Sequence, residues 1–184
     1  MKSLILVTGG SRSGKSRFAT DMAKRFGGRI VYIATCKAGN DQEMKRRIAR
    51  HRQDRPAHWK TVESPADPAR SVGRLKGTAG GVIIDCLTMY VSDLLMRGDS
   101  DAVILRKVRR LCKAAVGISC PVIVVTNEVG SGVVPDHALG RRFRDCAGLA
   151  NQIAAGCADQ VFLLVSGIPS QIKGGRCISY PRER

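Results

Sequence analysis

The chain has 184 residues, 43% of them hydrophobic and only 4% aromatic, which is the size and composition of one globular domain with an aliphatic core. Its apolar runs all fall short of the ~20 residues that a transmembrane helix requires, so we expect no stable membrane insertion. Lys and Arg number 31 against 15 Asp and Glu, a net charge of +16, and this excess favours anionic partners such as nucleotides, other phosphates or nucleic acid.

Aliphatic runs alternate with helical periodicity from one end of the chain to the other. In chain order the pattern predicts a strand at 3–8, a helix at 15–26, a strand at 29–35, a helix that opens after Asn40 and stops before Pro56, a strand at 59–63, a helix at 66–76, a strand at 80–88, helices at 87–97 and 101–116, a strand at 121–128, a helix at 137–157, a strand at 158–167 and an edge strand at 172–180. This alternation predicts a single three-layer α/β domain over residues 1–184, with a largely parallel sheet and helices on both faces.

The first loop carries a phosphate-binding motif. Residues 9–16, GGSRSGKS, match G-x-x-x-x-G-K-[ST] between a predicted strand and a predicted helix, the required context for a P-loop. Glycines let successive N–H groups turn inward toward phosphate oxygens. We expect Lys15 to reach the β- and γ-phosphates and Ser16 to ligate Mg²⁺. The alternative is a glycine-rich turn that happens to carry a lysine. The predicted nucleotide-binding residues here are Gly9, Gly10, Ser11, Arg12, Ser13, Gly14, Lys15 and Ser16.

The helix after Asn40 places a histidine among arginines. Its Met44, Ile48 and His51 share one face, which should pack inward or onto a ligand. A histidine at such a position is more often structural than chemical. The arginines at 47, 50, 52 and 55 change this, because nearby positive charge disfavours imidazolium and lowers the histidine pKa below ~6.5. A neutral imidazole is a nucleophile, and the same arginines would hold the phosphate that it attacks.

Two acids are predicted at the same edge of the sheet as the P-loop. Asp85 follows the buried run Val82-Ile83-Ile84 and should end a neighbouring strand, where it would hold Mg²⁺ directly or through water. Asp85 could instead, or in addition, cap the helix that begins near Leu87. Glu128, in TNEVG, also ends a predicted strand and is the second candidate for a metal or substrate acid.

The cysteines point to a reducing compartment. All seven, at positions 36, 86, 112, 120, 146, 157 and 177, are scattered without a C-x-x-C pair. A disulfide framework or a zinc site would show paired spacings. The N-terminal apolar run ends in the motif glycines, so we interpret it as a strand and not a signal peptide. These features predict reduced thiols in a cytoplasmic protein.

Seven segments, in order, resemble one family of enzymes. They are GGSRSGKS (9–16), YIAT (32–35), D-x-E-M-x-x-R-I-x-x-H-R-x-x-R-P-x-x-W-x-T-x-E (41–63), DCLT (85–88), TNEVGSGVVP (126–135), RRFRDCAGLANQ (141–152) and VSGIP (165–169). Together they resemble the bifunctional adenosylcobinamide kinase / adenosylcobinamide-phosphate guanylyltransferase family. The P-loop is common to many families, but H-R-x-x-R-P and TNEVG are specific to this one.

The resemblance implies a RecA-like P-loop fold, a homotrimer and two reactions of coenzyme B12 biosynthesis. Adenosylcobinamide is phosphorylated with ATP or GTP; GMP then passes from GTP, through a guanylylated histidine, to adenosylcobinamide phosphate, giving adenosylcobinamide-GDP and pyrophosphate. The histidine corresponds to His51. Some relatives have a second histidine just before it, where this chain has Arg50. The implied nucleotide contacts, besides the P-loop, are Ala34, Thr35, Cys36, Arg52, Gln53, Asp54, Arg55, Glu63 and Asp85.

Part of the site is left open by the sequence. Asn127, Glu128, Arg142 and Asn151 could shape the corrinoid site or a subunit interface. The general base of the kinase step is unassigned between Asp85 and Glu128.

Two other functions compete with the family's. One is a plain P-loop kinase of small molecules, in which His51 is inert. The other is a RecA-like ATPase that depends on nucleic acid, motivated by the charge of +16. The basic residues are spread along the chain, and Tyr32, Trp59 and Tyr90 form no array on which bases could stack. We therefore expect no nucleic-acid partner.

Overall fold

The computed structural model describes residues 3–36, 42–53, 55–63 and 65–174. Within α2 the side chains at positions 44, 47, 50, 51 and 53 are not among the described atoms. The described strands are β1 (Leu4–Gly9), β2 (Ile30–Ala34), β3 (Lys60–Glu63), β4 (Gly81–Asp85), β5 (Val122–Val125), β6 (Gln160–Val165) and β7 (Ile168–Lys173). The described helices are α1 (Lys15–Ala23), α2 (Gln42–Gln53), α3 (Pro68–Gly73), α4 (Leu87–Met96), α5 (Asp101–Gly117) and α6 (Ala138–Cys157).

The strands form one sheet in the order β3-β2-β4-β5-β1-β6-β7. Every neighbouring pair is parallel except β6 and β7, which are antiparallel. All residues of β1, β2 and β5 are buried, because helices cover the sheet on both sides. Continuous burial explains why these strands are largely apolar and show no regular alternation of apolar and polar residues.

Two apolar cores lie on opposite faces of the sheet. Leu4 and Leu6 of β1 face the core that contains side chains of α3, α4, α5 and α6. Ile5 and Val7 face the other core, which contains Phe18 and its neighbours on α1. Successive strand residues point to opposite faces, so one strand supplies both cores. The three-layer, largely parallel α/β architecture predicted from the sequence is thus confirmed.

The C-terminal edge of the sheet differs from the prediction. The strand predicted at 158–167 ends at Val165, and the edge strand predicted at 172–180 is instead β7, which begins at Ile168. Ser166 and Gly167 both have positive φ, 50° and 84°, and Val165 pairs with Ile168. A two-residue turn with positive φ at both positions matches the twist of a tight antiparallel hairpin, so the chain reverses earlier than predicted. Residues 175–180 of the predicted strand lie outside the described part of the chain.

The remaining boundaries agree with the predictions to within a few residues. The largest differences are three residues, at the C-terminal ends of four elements, since α1, α3, β4 and β5 end at Ala23, Gly73, Asp85 and Val125. Asn40, the predicted cap of α2, lies outside the described residues. In the part of the chain that is described, no helix has the length and apolarity needed to cross a bilayer.

Candidate functional site

The P-loop closes between the end of β1 and the start of α1. Gly9 has φ +148°, and a Cβ atom there would lie 2.4 Å from the carbonyl oxygen of Leu164, so only glycine fits. Gly14 stands at the N-cap of α1 in the left-handed region, with φ 91°. A glycine contributes no side-chain cap to α1, and the N-terminal end of a helix attracts anions.

Lys15 turns back across this loop. Its side chain is buried, and Nζ donates to the carbonyl oxygen of Gly10 at 2.5 Å and to Oγ of Ser13 at 3.3 Å. The ammonium is also close enough to Cys86 to lower the pKa of that thiol, although burial and the charge of Asp85 outweigh it and raise the pKa to about 12. Lys15 therefore points into the loop, and Cys86 stays a neutral thiol.

Asp85 ends β4 at the same edge of the sheet. It pairs with Ala34 of β2 and with Val125 of β5, and β5 separates β4 from β1. The prediction that Asp85 ends a strand is correct, but that strand is the second neighbour of β1, at about 10 Å in a sheet with 4.8 Å strand spacing. The N-cap of α4 is Cys86, with no side-chain cap. Asp85 is therefore not the predicted helix cap, because its backbone is still part of the strand ladder.

The Asp85 carboxylate accepts a hydrogen bond from Tyr32, which was not among the predicted site residues. The phenol of Tyr32 donates to Oδ2 of Asp85 at 2.5 Å. Burial raises the pKa of the phenol far above its ordinary value, and the neighbouring carboxylate raises it further. Tyr32 thus remains a protonated donor. The available signal was an aromatic residue inside an aliphatic strand, two positions before the strand ends.

Thr35 fastens the backbone that follows Asp85. Its Oγ1 donates to the carbonyl oxygen of Cys86 at 2.6 Å and accepts from the Cys86 N–H at 2.8 Å, while the Thr35 N–H donates to the carbonyl oxygen of Asp85 at 3.0 Å. Ala34 ends β2 beside Asp85, and Cys36 is half-buried just beyond. Residues 34–36 therefore lie beside the C-terminal end of β4. Their predicted contacts with the nucleotide stay predictions.

Arg52 and Arg55 share one carboxylate. Nε of Arg52 lies 3.0 Å and Nη1 of Arg55 lies 3.3 Å from Oε1 of Glu63, which ends β3. The Arg52 side chain is 63% exposed, whereas that of Arg55 is only 8% exposed and stacks on the Tyr32 ring at 3.9 Å from its centroid. Glu63, which the resemblance gave as a nucleotide contact, thus offsets part of the positive field predicted around His51.

A buried polar network supports the exit of β5. The side chain of Asn151 accepts from Oγ1 of Thr126 at 2.7 Å and donates to the carbonyl oxygen of Asn127 at 3.1 Å. Because the Thr126 proton goes to Asn151, the hydroxyl of Thr88 is the donor in its 2.9 Å bond to Thr126, and it accepts from the Asn127 N–H at 2.7 Å. Asn151 of α6 therefore positions the segment that carries Asn127 and Glu128.

Replacing Asn151 by Ala should lower the free energy of unfolding by about 2 kcal/mol, because the fully buried Thr126 hydroxyl and the Asn127 carbonyl both lose their partner. Urea unfolding measures the loss. Gln152→Ala is the matched control, an exposed amide at the next position of the same helix, with an expected change within about 0.5 kcal/mol. Equal losses in the two variants would show that the network carries no stability.

Glu128 lies against the start of the P-loop. Its N–H donates to the carbonyl oxygen of Gly9 at 2.9 Å, and its Oε1 accepts from the N–H of Gly130 at 3.2 Å. Arg142, in contrast, is tied to the start of α5, since it donates to Oδ1 of Asp101 and to the carbonyl oxygen of Asp99, both at 2.7 Å. The structure therefore brings Glu128, but not Arg142, to the phosphate loop.

Some predicted site residues are described in part or not at all. Asp54 lies outside the described residues, as do the side chains of His51 and Gln53, whose backbone forms the last turn of α2. Of the two other histidines, His58 is exposed and His137 caps α6, with its Nδ1 accepting from the Gly140 N–H at 2.9 Å. Within the described ranges, no three His, Cys, Asp or Glu side chains form a metal-binding cluster.

The chain is similar to known proteins over nearly its whole length. A family model described as cobinamide kinase / cobinamide phosphate guanyltransferase matches residues 5–172. The bifunctional adenosylcobalamin biosynthesis protein CobP of Pseudomonas aeruginosa is 42% identical over 171 residues, which cover 92% of this chain and 96% of that protein. The corresponding protein CobU of Escherichia coli is 40% identical, with 92% and 99% covered.

Two solved structures share the fold. An ATPase from the type III secretion system of pathogenic bacteria superposes with a TM-score of 0.58 at 14% identity, covering 90% of this chain and 51% of that one, so the chain spans about half of the ATPase. A KaiC-like protein from Pyrococcus horikoshii gives a TM-score of 0.54 at 17% identity, covering 88% of this chain and 70% of that one. At this identity the likeness concerns the fold alone, which is a RecA-like α/β P-loop fold.

Proposed function

The chain belongs to the cobinamide kinase / cobinamide phosphate guanyltransferase family, and from that membership we propose that GMP is carried on His51 between its two substrates. The protein is a bifunctional transferase of adenosylcobalamin biosynthesis that uses nucleoside triphosphates. The observation that carries the assignment is the match over residues 5–172, within which the P-loop and the helix of His51 both fall.

In the kinase reaction, the P-loop binds the triphosphate of ATP or GTP. The hydroxyl of the aminopropanol arm of adenosylcobinamide attacks the γ-phosphorus, the bond to the bridging oxygen breaks, and the nucleoside diphosphate leaves. The N–H groups of residues 9–16, the positive end of α1 and the ammonium of Lys15 stabilise the charge on the transferred group. Asp85 and Glu128 are the two candidates for the acid that accepts the hydroxyl proton.

Mg²⁺ fits the donor set at this edge of the sheet. Ser16 lies in the first turn of α1 and Asp85 ends β4, and both offer the oxygen ligands that Mg²⁺ prefers. The Tyr32 bond occupies Oδ2 of Asp85 and leaves Oδ1 for the ion. When bound, the ion neutralises charge on the phosphate oxygens. Mg²⁺ commonly takes only one or two protein ligands beside phosphates and water, which agrees with a site of two residues.

In the guanylyl transfer, a neutral His51 nitrogen attacks the α-phosphorus of GTP with its lone pair, and the bond to pyrophosphate breaks. An oxygen of adenosylcobinamide phosphate then attacks the same phosphorus, the P–N bond breaks, and adenosylcobinamide-GDP forms as the imidazole regains its lone pair. Imidazole suits this role because it both attacks and leaves readily. Arg52, Gln53, Asp54, Arg55 and Glu63 are proposed to hold the nucleotide beside it.

The remaining parts of the proposal concern binding and assembly. Asn127 and Glu128 are the proposed contacts of the corrinoid substrate, and the Glu128 N–H bond to the carbonyl oxygen of Gly9 supports this by holding the segment beside the P-loop. The proposed assembly is a homotrimer of single-domain subunits. The proposed compartment is the cytoplasm, which suits cysteines that form no disulfide, at positions 36, 86, 112, 120, 146 and 157. No nucleic-acid partner is proposed.

Incubation with GTP labelled at the α-phosphate tests the covalent step. We expect the protein to acquire label that is lost in acid and kept in alkali, as a phosphorus–nitrogen bond behaves. GTP labelled at the γ-phosphate should leave no such label, because that phosphate departs with pyrophosphate. Adding adenosylcobinamide phosphate should discharge the label into product. Absence of α-label on the active kinase would leave His51 without a covalent role.

A further inference from the structure

We propose that Tyr32 is a positioning residue that couples the last turn of α2, which carries His51, to the Asp85 carboxylate. The inference rests on the proposed roles of His51 and Asp85 but adds a residue and a coupling to them. It is carried by a chain of four side-chain contacts that crosses three neighbouring strand ends, from Glu63 of β3 through Tyr32 of β2 to Asp85 of β4.

The inner contact orients the acid. Tyr32 donates to Oδ2 of Asp85 at 2.5 Å, and the phenol is 3% exposed as part of the core on the α1 face. A buried donor fixed by its own packing holds one carboxylate oxygen in place. With Oδ2 held, the orientation of Oδ1 is fixed as well, because the carboxylate group can no longer rotate about its bond to Cβ.

The outer contacts connect Tyr32 to α2. The guanidinium of Arg55 stacks on the Tyr32 ring at 3.9 Å, and its Nε is buried without a hydrogen-bond partner among the described residues. The aromatic face therefore takes the place of an acceptor. Arg55 is also tied to α2, because its N–H donates to the carbonyl oxygen of Arg52 at 3.2 Å. Glu63 holds both arginines from the other side.

Through these contacts a displacement of α2 changes how the Asp85 carboxylate is held. The last turn of α2 contains both His51 and Arg52, so a shift that changes the position of His51 moves Arg55 on the Tyr32 ring. The Tyr32 ring cannot move with the guanidinium, because it is packed in the core. The stacking contact therefore weakens, and the phenol hydroxyl is held less firmly against Asp85. A Tyr32 that served the core alone would need its ring but not its hydroxyl, and this difference makes the proposal testable.

Tyr32→Phe removes the hydroxyl and keeps the ring. The measurement is the affinity for a fluorescent GDP analogue with and without Mg²⁺, which requires no turnover. We expect the Mg²⁺-dependent gain in affinity to fall about tenfold, the loss typical of one hydrogen bond to a charged group, while the affinity without Mg²⁺ stays the same. Tyr90→Phe is the matched control, a buried tyrosine of α4 outside the site, and it should keep the full gain. An undiminished gain in Tyr32→Phe would overturn the role of Tyr32.

The coupling to α2 is tested by combining two changes. Arg55→Lys keeps the charge but loses the planar stack, so it should reduce the Mg²⁺-dependent gain in the wild-type background. In the Tyr32→Phe background, Arg55→Lys should reduce the Mg²⁺-dependent gain by less than about twofold more, because the hydrogen bond through which Arg55 acts on Asp85 is already absent. Fully additive losses would show that Arg55 acts independently of Tyr32. If the wild type forms no GMP adduct, the proposed function of His51 fails, yet this nucleotide-binding cycle still decides the role of Tyr32.

Discussion

His51→Ala is expected to abolish the covalent GMP adduct and the formation of adenosylcobinamide-GDP while phosphorylation of adenosylcobinamide persists. Removing the nucleophile of a two-step displacement eliminates its covalent intermediate, and with it the transfer that passes through that intermediate. The kinase step needs positioning and charge neutralisation at the P-loop, not a covalent residue. Alanine is the best helix former, so α2 keeps its last turn and the effect reports chemistry.

The measurement is protein-bound label from α-labelled GTP, run beside a kinase assay on the same preparation. His58→Ala is the matched control, because His58 is exposed on the turn before β3, and it should label like the wild type. Label that persisted in His51→Ala would place the adduct on another residue. Loss of both activities together would instead indicate that phosphorylation of adenosylcobinamide also depends on His51.

Lys15→Ala is expected to lower kcat/KM of both reactions by about a thousandfold, the loss typical of removing a preorganised charge at a transferring phosphate. The ammonium is buried and already points into the loop, 2.5 Å from the carbonyl oxygen of Gly10. The ammonium, the loop N–H groups and the N-terminal end of α1 together direct positive charge toward a phosphate bound at the loop. In the proposed function both reactions start from a triphosphate bound at this loop, so both rates should fall together.

Steady-state assays of phosphorylation and guanylylation measure the effect. Lys24→Ala is the control, an exposed lysine at the other end of α1 that pairs with Asp21, and its rates should match the wild type. The unfolding free energy of Lys15→Ala should stay within about 1 kcal/mol of the wild type, which separates lost chemistry from lost folding. A guanylylation rate that survived while phosphorylation fell would mean that the two reactions use different triphosphate sites.

One carboxylate organises two of the arginines near the end of α2. Glu63 engages Arg52 and Arg55 through a single oxygen, so two of the arginines near His51 are held in position and partly neutralised. The Arg52 side chain is open to solvent, whereas the Arg55 guanidinium is largely buried and stacks on the Tyr32 ring. The two arginines, equivalent in the sequence pattern, therefore lie in different environments.

Local patterns were sufficient for most of the elements and for the phosphate loop. The glycines and the lysine of residues 9–16 stand between an apolar run and a helical run, and such a motif closes on itself through backbone geometry. Strand positions in the interior were equally predictable, because burial on both faces demands continuous aliphatic runs. The hairpin between β6 and β7 was missed even though Ser166-Gly167 is a turn-forming pair, since the apolar run before it was extended too far.

The order of residues along the chain was enough to determine a parallel α/β protein with a P-loop, and to single out His51, Lys15 and Asp85. Strand order was decided only in the folded structure, which put β5 between β1 and β4. The folded structure also decided three sets of contacts: the Tyr32–Asp85 hydrogen bond, the ion pairs of Arg52 and Arg55 with Glu63, and the hydrogen bonds of Asn151. Each of these joins residues far apart in the chain, and such contacts depend on how strands are placed side by side, which short-range periodicity does not encode.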